Sequence, residues 1–352
     1  MIAFKDGLTI GGDSPIRVNC NIGCNKIEDI QSEISKIEFI QSCNELPDMM
    51  MDLSLIELEE PLYNYIKNNL GLPFGVVLSY HRFTKSKGYQ WEDIRDAFLQ
   101  LCYDGVSFVT IHFTADLDLF SRANQIRKIP VTSRGGGMVL YDSRINNRTQ
   151  NIFRENIDEI ANIALKHNVV ISLGTTFRPG TILDACDSVH IEETLRQLSI
   201  CRLLQSKGVK VMVENIGHIT LDKIATHSKL LSKFNAPIMP LGPLPTDAAI
   251  NEDHIANAIG ATFAAYIGCT HIINCVTRYE HSKSAITQDA IIEAIRAAKV
   301  AAHIADLSRN INKAYLYDAF ITNNRIKEHS CLTDSNNCTR CSTVCPLKLT
   351  NI

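Results

Sequence analysis

The sequence has little of several features that would place a protein in a specialised class. Its 352 residues contain no apolar run of 18 or more, which excludes a transmembrane helix. The first residues show no basic stretch followed by an apolar one, so no secretory signal is readable and we expect a cytoplasmic protein. A net charge of only −3 gives no reason to expect nucleic acid or an anionic membrane as a partner.

What the sequence does contain is an ordinary globular composition with one unusual component, cysteine. Hydrophobic residues make up 45% and charged residues 21% of the chain, as in proteins that fold around a core. Twelve cysteines are many for a chain without an export signal, and disulfides are a poor explanation for them. Four lie close to the C-terminus, which favours a metal or iron–sulfur centre there.

Short apolar runs recur along the chain at a spacing of roughly 32 residues, the length of one βα unit. They occupy residues 16–22, 48–53, 74–79, 108–113, 129–133, 169–173, 210–213 and 237–241. Segments with helical spacing lie between most of them, so the pattern predicts an α/β fold, a (β/α)8 TIM barrel. A doubly wound open sheet is the alternative. Beyond residue 242 we expect a helix at 255–265, a strand-like run at 271–276 and a long helix at 287–307.

The same pattern predicts two parts of unequal size. Residues 1–320 form a barrel catalytic domain with C-terminal helices. Residues 321–352 form a flexible polar tether and a cysteine-rich iron–sulfur tail. Polar and glycine-containing clusters follow nearly every predicted strand, and in a barrel these clusters meet at the C-terminal rim, where active sites lie.

The tail carries three cysteines in close succession, Cys338, Cys341 and Cys345, with Pro346 after the last. Three thiolates at this spacing can hold one [4Fe–4S] cluster, leaving one iron open for S-adenosylmethionine. Proline after a ligating cysteine is also typical of ferredoxin-type sequences. A four-cysteine zinc site that includes Cys331 is the alternative.

A glycine cluster at Ser133-Arg134-Gly135-Gly136-Gly137 predicts a phosphate site. Backbone N–H groups of a glycine turn form an anion nest, and Arg134 adds a bidentate donor. Arg178, on another strand-end loop, is a candidate second phosphate ligand. A flexible turn with a surface arginine is the alternative.

Two histidines at the predicted rim, His218 and His281, could hold a divalent metal with positions left open for substrate or water. A single histidine of this kind is more often an ordinary core or surface residue than a metal ligand. Glu214 could serve as a general base or hold a substrate hydroxyl or amine. Asp247, Asp253 and His254 form a further polar group, in which Asp253 could simply cap a helix.

Taken together, these motifs resemble one family, phosphomethylpyrimidine synthase (ThiC) and its paralogues. The matching stretches are VNCNIG (18–23), MDLS (51–54), SY (79–80), TIH (110–112), SRGG (133–136), SLGTTFRPG (172–180), VENIGH (213–218), LGPLPTDAAINEDHIANAIGA (241–261), VTRYEH (276–281) and the terminal CxxCxxxC. They follow one order along nearly the whole chain, so the resemblance is specific. It implies a (β/α)8 barrel with a cluster-bearing tail.

The resemblance also implies a reaction. The family's substrate is aminoimidazole ribotide, and its lyases use a [4Fe–4S] cluster, S-adenosylmethionine, a divalent metal (zinc or iron) and a low-potential electron donor. By motif, the substrate-binding residues would be Asn21, Met51, Tyr80, His112, Ser133, Arg134, Gly135, Arg178 and Glu214. Glu214 and Cys275 would be catalytic, His218 and His281 would hold the metal, and Cys338, Cys341 and Cys345 the cluster. A homodimer, or a pairing with a paralogous subunit, is implied as well.

Departures from the family pattern bear on the product. The synthase has Asp-Gly-Leu-Arg where this chain has Thr175-Thr176-Phe177-Arg178, and a substrate-binding tyrosine is replaced by Cys275. We expect these changes to fall in the substrate pocket, which favours the paralogues that make 5-hydroxybenzimidazole, the lower base of some cobamides. The thiamin pyrimidine phosphate is the alternative product. A non-catalytic ThiC-like subunit and a zinc-dependent barrel hydrolase are the remaining hypotheses.

Overall fold

A computed structural model describes residues 1–283, 286–328, 330–331 and 338–349. The chain divides into two compact units, Met1–Ala305 and Asp306–Ile352. The predicted functional division at residue 320 stays a prediction. None of the described helices combines the length and apolar character needed to cross a membrane.

The first unit is a nearly closed barrel of parallel strands, which confirms the predicted fold. Its strands are β1 (Arg17–Ile22), β2 (Met49–Asp52), β3 (Phe74–Val77), β4 (Phe108–Ile111), β5 (Val170–Leu173), β6 (Val211–His218), β7 (Ile238–Leu244) and β8 (Ile272–Asn274). Strands β1 to β7 pair in parallel in chain order, and β8 pairs with β1, with Asn274 opposite Asn19, which leaves a seam between β7 and β8. At the remaining seam, the backbone N–H of His271 donates to the carbonyl of Ile238 at 2.9 Å.

The helices of this unit surround the barrel. They are α1 (Ile30–Ser42), α2 (Leu62–Tyr65, continued by a π-helical turn over Ile66–Leu70), α3 (Trp91–Asp104), α4 (Leu117–Ile126), α5 (Arg134–Ile145), α6 (Ile152–Glu155), α7 (Ile157–His167), α8 (Ser188–Ser206), α9 (Leu221–Leu231), α10 (Asp253–Tyr266) and α11 (Gln288–Ser308).

Strand β1 shows why polar side chains reach the barrel interior. Side chains alternate between the two faces of a strand. Cys20 and Ile22 therefore pack in the core between sheet and helices, whereas Asn19 and Asn21 point inward, where the amide of Asn19 donates to Asn21 Oδ1 at 2.8 Å. The asparagines of this strand thus face the inside of the barrel.

The N-terminal end of the barrel is filled by apolar side chains. A short hairpin of Ile2–Ala3 and Thr9–Ile10 contributes Phe4 and Ile10 to a cluster that includes Phe108, and the rings of Phe4 and Phe108 stack at 5.4 Å. The interior is therefore open for a ligand only toward the C-terminal ends of the strands.

One predicted strand is wrong. Residues 129–133 form a loop that leads into α5, and the eighth strand of the barrel is instead Ile272–Asn274, inside the strand-like run expected at 271–276. Pro130 explains the difference, since proline has no N–H to give to a central ladder.

The second unit contains α12 (Asn312–Lys327) and, in the cysteine tail, a 3-10 turn (Ser342–Val344) followed by α13 (Pro346–Leu349). Residues 321–327, which the sequence assigned to the tether, are helical. Residues 332–337 of that tether lie outside the described residues.

Candidate active site

A cavity of about 510 Å³ opens at the C-terminal ends of the barrel strands. The predicted site residues that line it are Asn21, Met51, Tyr80, His112, Ser133, Arg134, Arg178, Glu214, His218, Cys275 and His281. They come from distant parts of the chain and meet because most lie in or after the C-terminal part of a parallel strand, while Ser133 and Arg134 begin helix α5. Gly135 is buried beside the cavity and is not among the lining residues.

The predicted glycine nest is the first turn of a helix. Ser133 is the N-cap of α5, and its Oγ accepts a hydrogen bond from the N–H of Gly136 at 3.0 Å. The remaining N–H groups of a first helical turn, together with the helix dipole, favour an anion. An anion site is therefore available here, although it is built differently from the turn that the sequence suggested.

The glycines of this turn are required by packing. A Cβ on Gly135 would lie 2.4 Å from the His112 ring, and one on Gly136 would lie 2.5 Å from the Thr176 side chain. A Cβ on Gly137 would meet nothing within 4 Å. The first two glycines thus let α5 approach the ends of β4 and β5.

His112 is a buried, neutral member of the cavity wall. Its Nε2 lies 2.9 Å from Ser133 Oγ, while Nδ1 is buried and has no hydrogen-bond partner among the residues that the structure describes. Burial lowers the pKa of His112 to about 3, and the nearby charge of Arg178 acts in the same direction. At neutral pH this imidazole can exchange hydrogen bonds with a ligand but carries no charge.

Glu214 is the buried carboxylate of the cavity, with 5% of its surface exposed. Thr110 Oγ1 donates to Glu214 Oε1 at 2.7 Å. Burial raises the pKa of Glu214, and the Thr110 hydrogen bond and the charge of Arg178 oppose that rise. A carboxyl held this way can accept a substrate hydrogen bond or take up a proton.

The two arginines are held differently. Arg178 donates to the carbonyl of Thr175 at 3.2 Å. Arg134 donates to Asn25 Oδ1 at 3.0 Å and lies over the Tyr80 ring at 5.3 Å. Both guanidinium groups line the cavity that α5 enters by its N-terminus.

His218 and His281 form a pair at the rim, with ring centroids 4.8 Å apart. His218 Nδ1 lies 2.6 Å from Asp247 Oδ1, and His281 Nδ1 lies 2.9 Å from Asp253 Oδ1. Carboxylates that engage Nδ1 orient imidazoles so that Nε2 can bind a metal. Burial lowers the pKa of His218, as does the neighbouring His281, which favours the neutral, ligating form.

These carboxylate partners could not be assigned from the sequence. The N-cap of α10 is Glu252, and Asp253 is the first residue of the helix. The carboxylate of Asp253 contacts His281. Asp247 also accepts from Thr181 Oγ1 at 2.6 Å. The partners are 28 and 29 residues apart in sequence, so no local pattern pairs them.

Cys275 lines the cavity directly after β8. Its backbone N–H donates to the carbonyl of Asn19 at 2.7 Å. Burial raises the pKa of this thiol well above its usual value, and the neighbouring Cys20 adds to the rise. The side chain is therefore a thiol, and its catalytic role stays a prediction.

Thr175, Thr176 and Phe177, expected in the substrate pocket, are fully buried and do not line the cavity. The N–H groups of Thr176 and Phe177 are bound by the carboxylate of Glu193. Only Arg178, the next residue, reaches the cavity. The departure from the family pattern at 175–177 is thus a change beneath the pocket.

The cysteine tail is ordered by local turns. The N–H of Val344 donates to the carbonyl of Cys341 at 3.1 Å, and the N–H of Leu349 donates to the carbonyl of Cys345 at 2.9 Å. Among the described residues, the side chains gathered within 4.8 Å of one another in a metal-binding combination are Cys186, His190 and His227, and not the tail cysteines.

Known proteins of one family resemble this chain along most of its length. Residues 4–331 match the model of the radical SAM ThiC family. Phosphomethylpyrimidine synthase of Sulfurisphaera tokodaii is 34% identical over 329 residues, which cover 90% of this chain and 75% of that protein. The enzyme of the same name from Pyrobaculum aerophilum is 32% identical over 322 residues, covering 88% and 74%.

The chain belongs to the radical SAM ThiC family. The resemblance inferred from the motifs is confirmed at that level. The chain is therefore an enzyme, and the lyase class expected from the sequence is consistent with the ThiC family. Membership also implies S-adenosylmethionine and an iron–sulfur cluster as cofactors.

The residues present fit those cofactors. The C-terminal tail has three thiols within a stretch of eight residues, a donor set typical of iron–sulfur ligation. The His218–His281 pair, with a carboxylate on each Nδ1, fits a divalent metal whose ligands are oriented by outer carboxylates.

Proposed function

We propose that this enzyme rearranges aminoimidazole ribotide into the hydroxymethylpyrimidine phosphate used for thiamin, the activity named for its curated relatives. The observation that carries the proposal is the cavity itself. It combines an anion-binding helix N-terminus and Arg178 with a buried carboxylate, Glu214, in one space of about 510 Å³. A ribotide has a phosphate that can bind the helix N-terminus and Arg178. It also has hydroxyl and amino groups that can bind Glu214.

The phosphate would bind at the N-terminus of α5. The N–H groups of its first turn and the guanidinium of Arg178 both favour a dianion. Ser133 and Arg134 frame this end of the cavity, and Gly135 allows the helix to approach it.

The sugar and base would lie against the interior of the barrel. Glu214 and Asn21 offer hydrogen-bond partners, and Met51 and Tyr80 provide apolar and aromatic surface. The unpartnered Nδ1 of buried His112 suits a substrate hydroxyl, because that atom otherwise has no partner.

Cofactors would be held by cysteines and histidines. We propose Cys338, Cys341 and Cys345 as cluster ligands and His218 and His281 as ligands of a zinc or iron ion. When bound, the cluster and S-adenosylmethionine supply one-electron chemistry that starts the rearrangement, with electrons from a low-potential donor. We also propose a homodimer, in which the tail of one subunit serves its partner's cavity.

The test is an anaerobic assay of the full chain. The cluster is reconstituted, and aminoimidazole ribotide, S-adenosylmethionine and a reductant are added. We expect 5′-deoxyadenosine and a pyrimidine phosphate, identified by mass spectrometry. Release of neither from a fully loaded cluster would contradict the proposal, and turnover in air with zinc alone would favour a hydrolase.

A second product, 5-hydroxybenzimidazole, is favoured by one observation. Cys275, which stands where the synthase has a tyrosine, lines the cavity. The buried positions of Thr175–Phe177 weaken the other argument for this product. Detection of a hydroxylated benzimidazole in the same assay, with a Cys275→Tyr variant as the matched comparison, would decide for it.

A further inference from the structure

We propose that Glu193, on the buried face of α8, is a positioning residue that holds Arg178 in the cavity by binding the backbone of the loop before it. The kinetic part of the argument rests on the proposed function, whereas the structural part does not. Glu193 lies in the interior with no exposed surface and does not line the cavity.

The carboxylate of Glu193 collects three donors. Oε1 accepts from the N–H of Thr176 at 2.6 Å and from Thr114 Oγ1 at 2.7 Å, and Oε2 accepts from the N–H of Phe177 at 2.7 Å. Two successive N–H groups directed at one carboxylate form a clamp on the chain. Burial raises the pKa of Glu193 to about 7, and these three hydrogen bonds oppose that rise. In the ionised form, hydrogen bonds to the carboxylate are about twice as strong as those between neutral groups.

Phe177 is held from its other side as well. The guanidinium of Arg127 donates to the carbonyl of Phe177 at 2.7 Å and pairs with Asp187, the N-cap of α8. The N–H of Phe177 is therefore bound by Glu193 of α8, and its carbonyl is bound by Arg127, which pairs with the N-cap of α8. Arg178 follows directly, so the direction in which it leaves the loop depends on this clamp.

The same loop also contacts α5. The Thr176 side chain fills the space that a Cβ on Gly136 would enter. The peptide that Glu193 fixes is thus the peptide against which the first turn of α5 packs. Movement of this loop would displace both groups proposed to bind phosphate.

A neighbouring network on α8 fixes β6 in a similar way. Gln197 Nε2 donates to the carbonyl of Glu214 at 3.0 Å, and Asn215 Nδ2 donates to Gln197 Oε1 at 2.8 Å. Asn215 Oδ1 lies 3.2 Å from His190 Nε2 and 3.0 Å from His227 Nε2.

The Cys186–His190–His227 group is part of this network. Its two imidazoles are stacked at 4.1 Å with an angle of 24°. Both Nε2 atoms lie within hydrogen-bond distance of the same amide oxygen, Asn215 Oδ1. Hydrogen bonding to β6 accounts for this group without a metal.

The experiment compares Glu193→Gln with the wild-type full chain. An amide of the same size keeps one acceptor and turns an NH2 group toward a backbone N–H, so one half of the clamp is lost. We expect faster amide hydrogen exchange in residues 174–178 by mass spectrometry, without added ligand. In the aminoimidazole ribotide assay we expect KM to rise about tenfold while kcat changes less than threefold, the pattern of lost substrate binding.

One control separates positioning from a general change of charge on the helix. Glu192→Gln removes a charge next to Glu193 on the outer side of α8, where Glu192 pairs with Arg196. It should leave the exchange of 174–178 and KM unchanged.

Unaltered exchange of 174–178 in folded Glu193→Gln would overturn the proposal, whether or not the ribotide is the substrate. Lack of turnover by wild type would count against the proposed function only. Should Glu193→Gln not fold, Glu193→Asp keeps the charge but shortens the side chain by one methylene, so that it no longer reaches both N–H groups. Faster exchange in 174–178 supports the proposal, and unchanged exchange there defeats it.

Discussion

Two sides of the cavity use histidine and carboxylate in different ways. The buried wall, formed by Thr110, His112, Ser133 and Glu214, keeps its acid and its imidazole apart and bonds each to a hydroxyl. The histidine rim, formed by His218, His281, Asp247 and Asp253, bonds each imidazole to a carboxylate.

The difference follows from solvent access. Only 3% of His112 is exposed, whereas 47% of the His281 side chain is. A charged pair is costly to bury, and a neutral hydroxyl partner avoids that cost. The comparison teaches that the wall suits hydrogen bonding to a neutral part of a substrate and the rim suits a cation.

The largest effect is expected at the carboxylate of the buried wall. Glu214→Gln keeps the shape but removes the proton acceptor, so we expect kcat for aminoimidazole ribotide conversion to fall by roughly 10³. The assay counts 5′-deoxyadenosine released per chain. Thr110→Val, which removes only the hydroxyl that bonds Glu214, should cost about tenfold. If Glu214→Gln kept near wild-type activity, the carboxylate of the buried wall would have no part in the reaction.

The histidine rim should respond in metal binding. We expect His281→Ala to lower affinity for zinc or iron more than about 100-fold, and Asp253→Asn, which only orients His281, to lower it by about 10–100-fold. Metal analysis and competition with a chelator measure both. Asp222→Asn, an exposed carboxylate on α9, is the control. Equal metal content in all four proteins would show that the rim is not a metal site.

Packing around the buried wall should appear as stability. Gly136→Ala places a Cβ 2.5 Å from Thr176, and we expect a loss of about 1–3 kcal/mol in the free energy of unfolding. Gly137→Ala, whose Cβ meets nothing within 4 Å, is the matched control and should gain or lose less than about 1 kcal/mol. Urea unfolding compares the two, and equal destabilisation would contradict this account of the glycine pair.

The smallest effect is a dependence of stability on pH. Because the pKa of His112 is about 3 in the fold, only the unfolded chain takes up its proton between pH 6.5 and 3. Stability is therefore lost as pH falls through that range. From pH 7 to pH 5 this histidine should account for about 2 kcal/mol.

His112→Asn should therefore lose less stability than wild type between pH 7 and pH 5, as measured by urea unfolding. His227→Asn should behave alike, since burial lowers the pKa of His227 to about 4. Identical pH dependence in wild type and His112→Asn would mean that the wall histidine is protonated in the fold.

The barrel could be predicted because its strands carry their own signal. Runs such as that of β3, buried along its whole length, have no polar side chain on either face, as in a parallel sheet covered on both faces. The wrong strand prediction at 129–133 has the same origin. A short run with apolar residues looks like a strand in the sequence, but it forms one only if a neighbouring strand is present to hydrogen-bond with it. The β8 strand, only three residues long, is defined by its pairing with β1.

Most residues of the site could be located because they lie in or after a strand, although their partners could not. Glu193 and Gln197 lie on one face of α8, and nothing local marks them as ligands of loops after β5 and β6. The glycines at 135 and 136 also looked like a nest for an anion, whereas close packing against His112 and Thr176 requires them.

Sequence alone determined the βα period and the family to which the chain belongs, because those depend on spacing and residue type along the chain. Tertiary structure decided which carboxylate orients each rim histidine, which groups fix the loop before Arg178, and that Thr175–Phe177 lie beneath the pocket. Those contacts join residues that are far apart in the chain. They exist only once the barrel has brought its strand ends together and excluded water from between them.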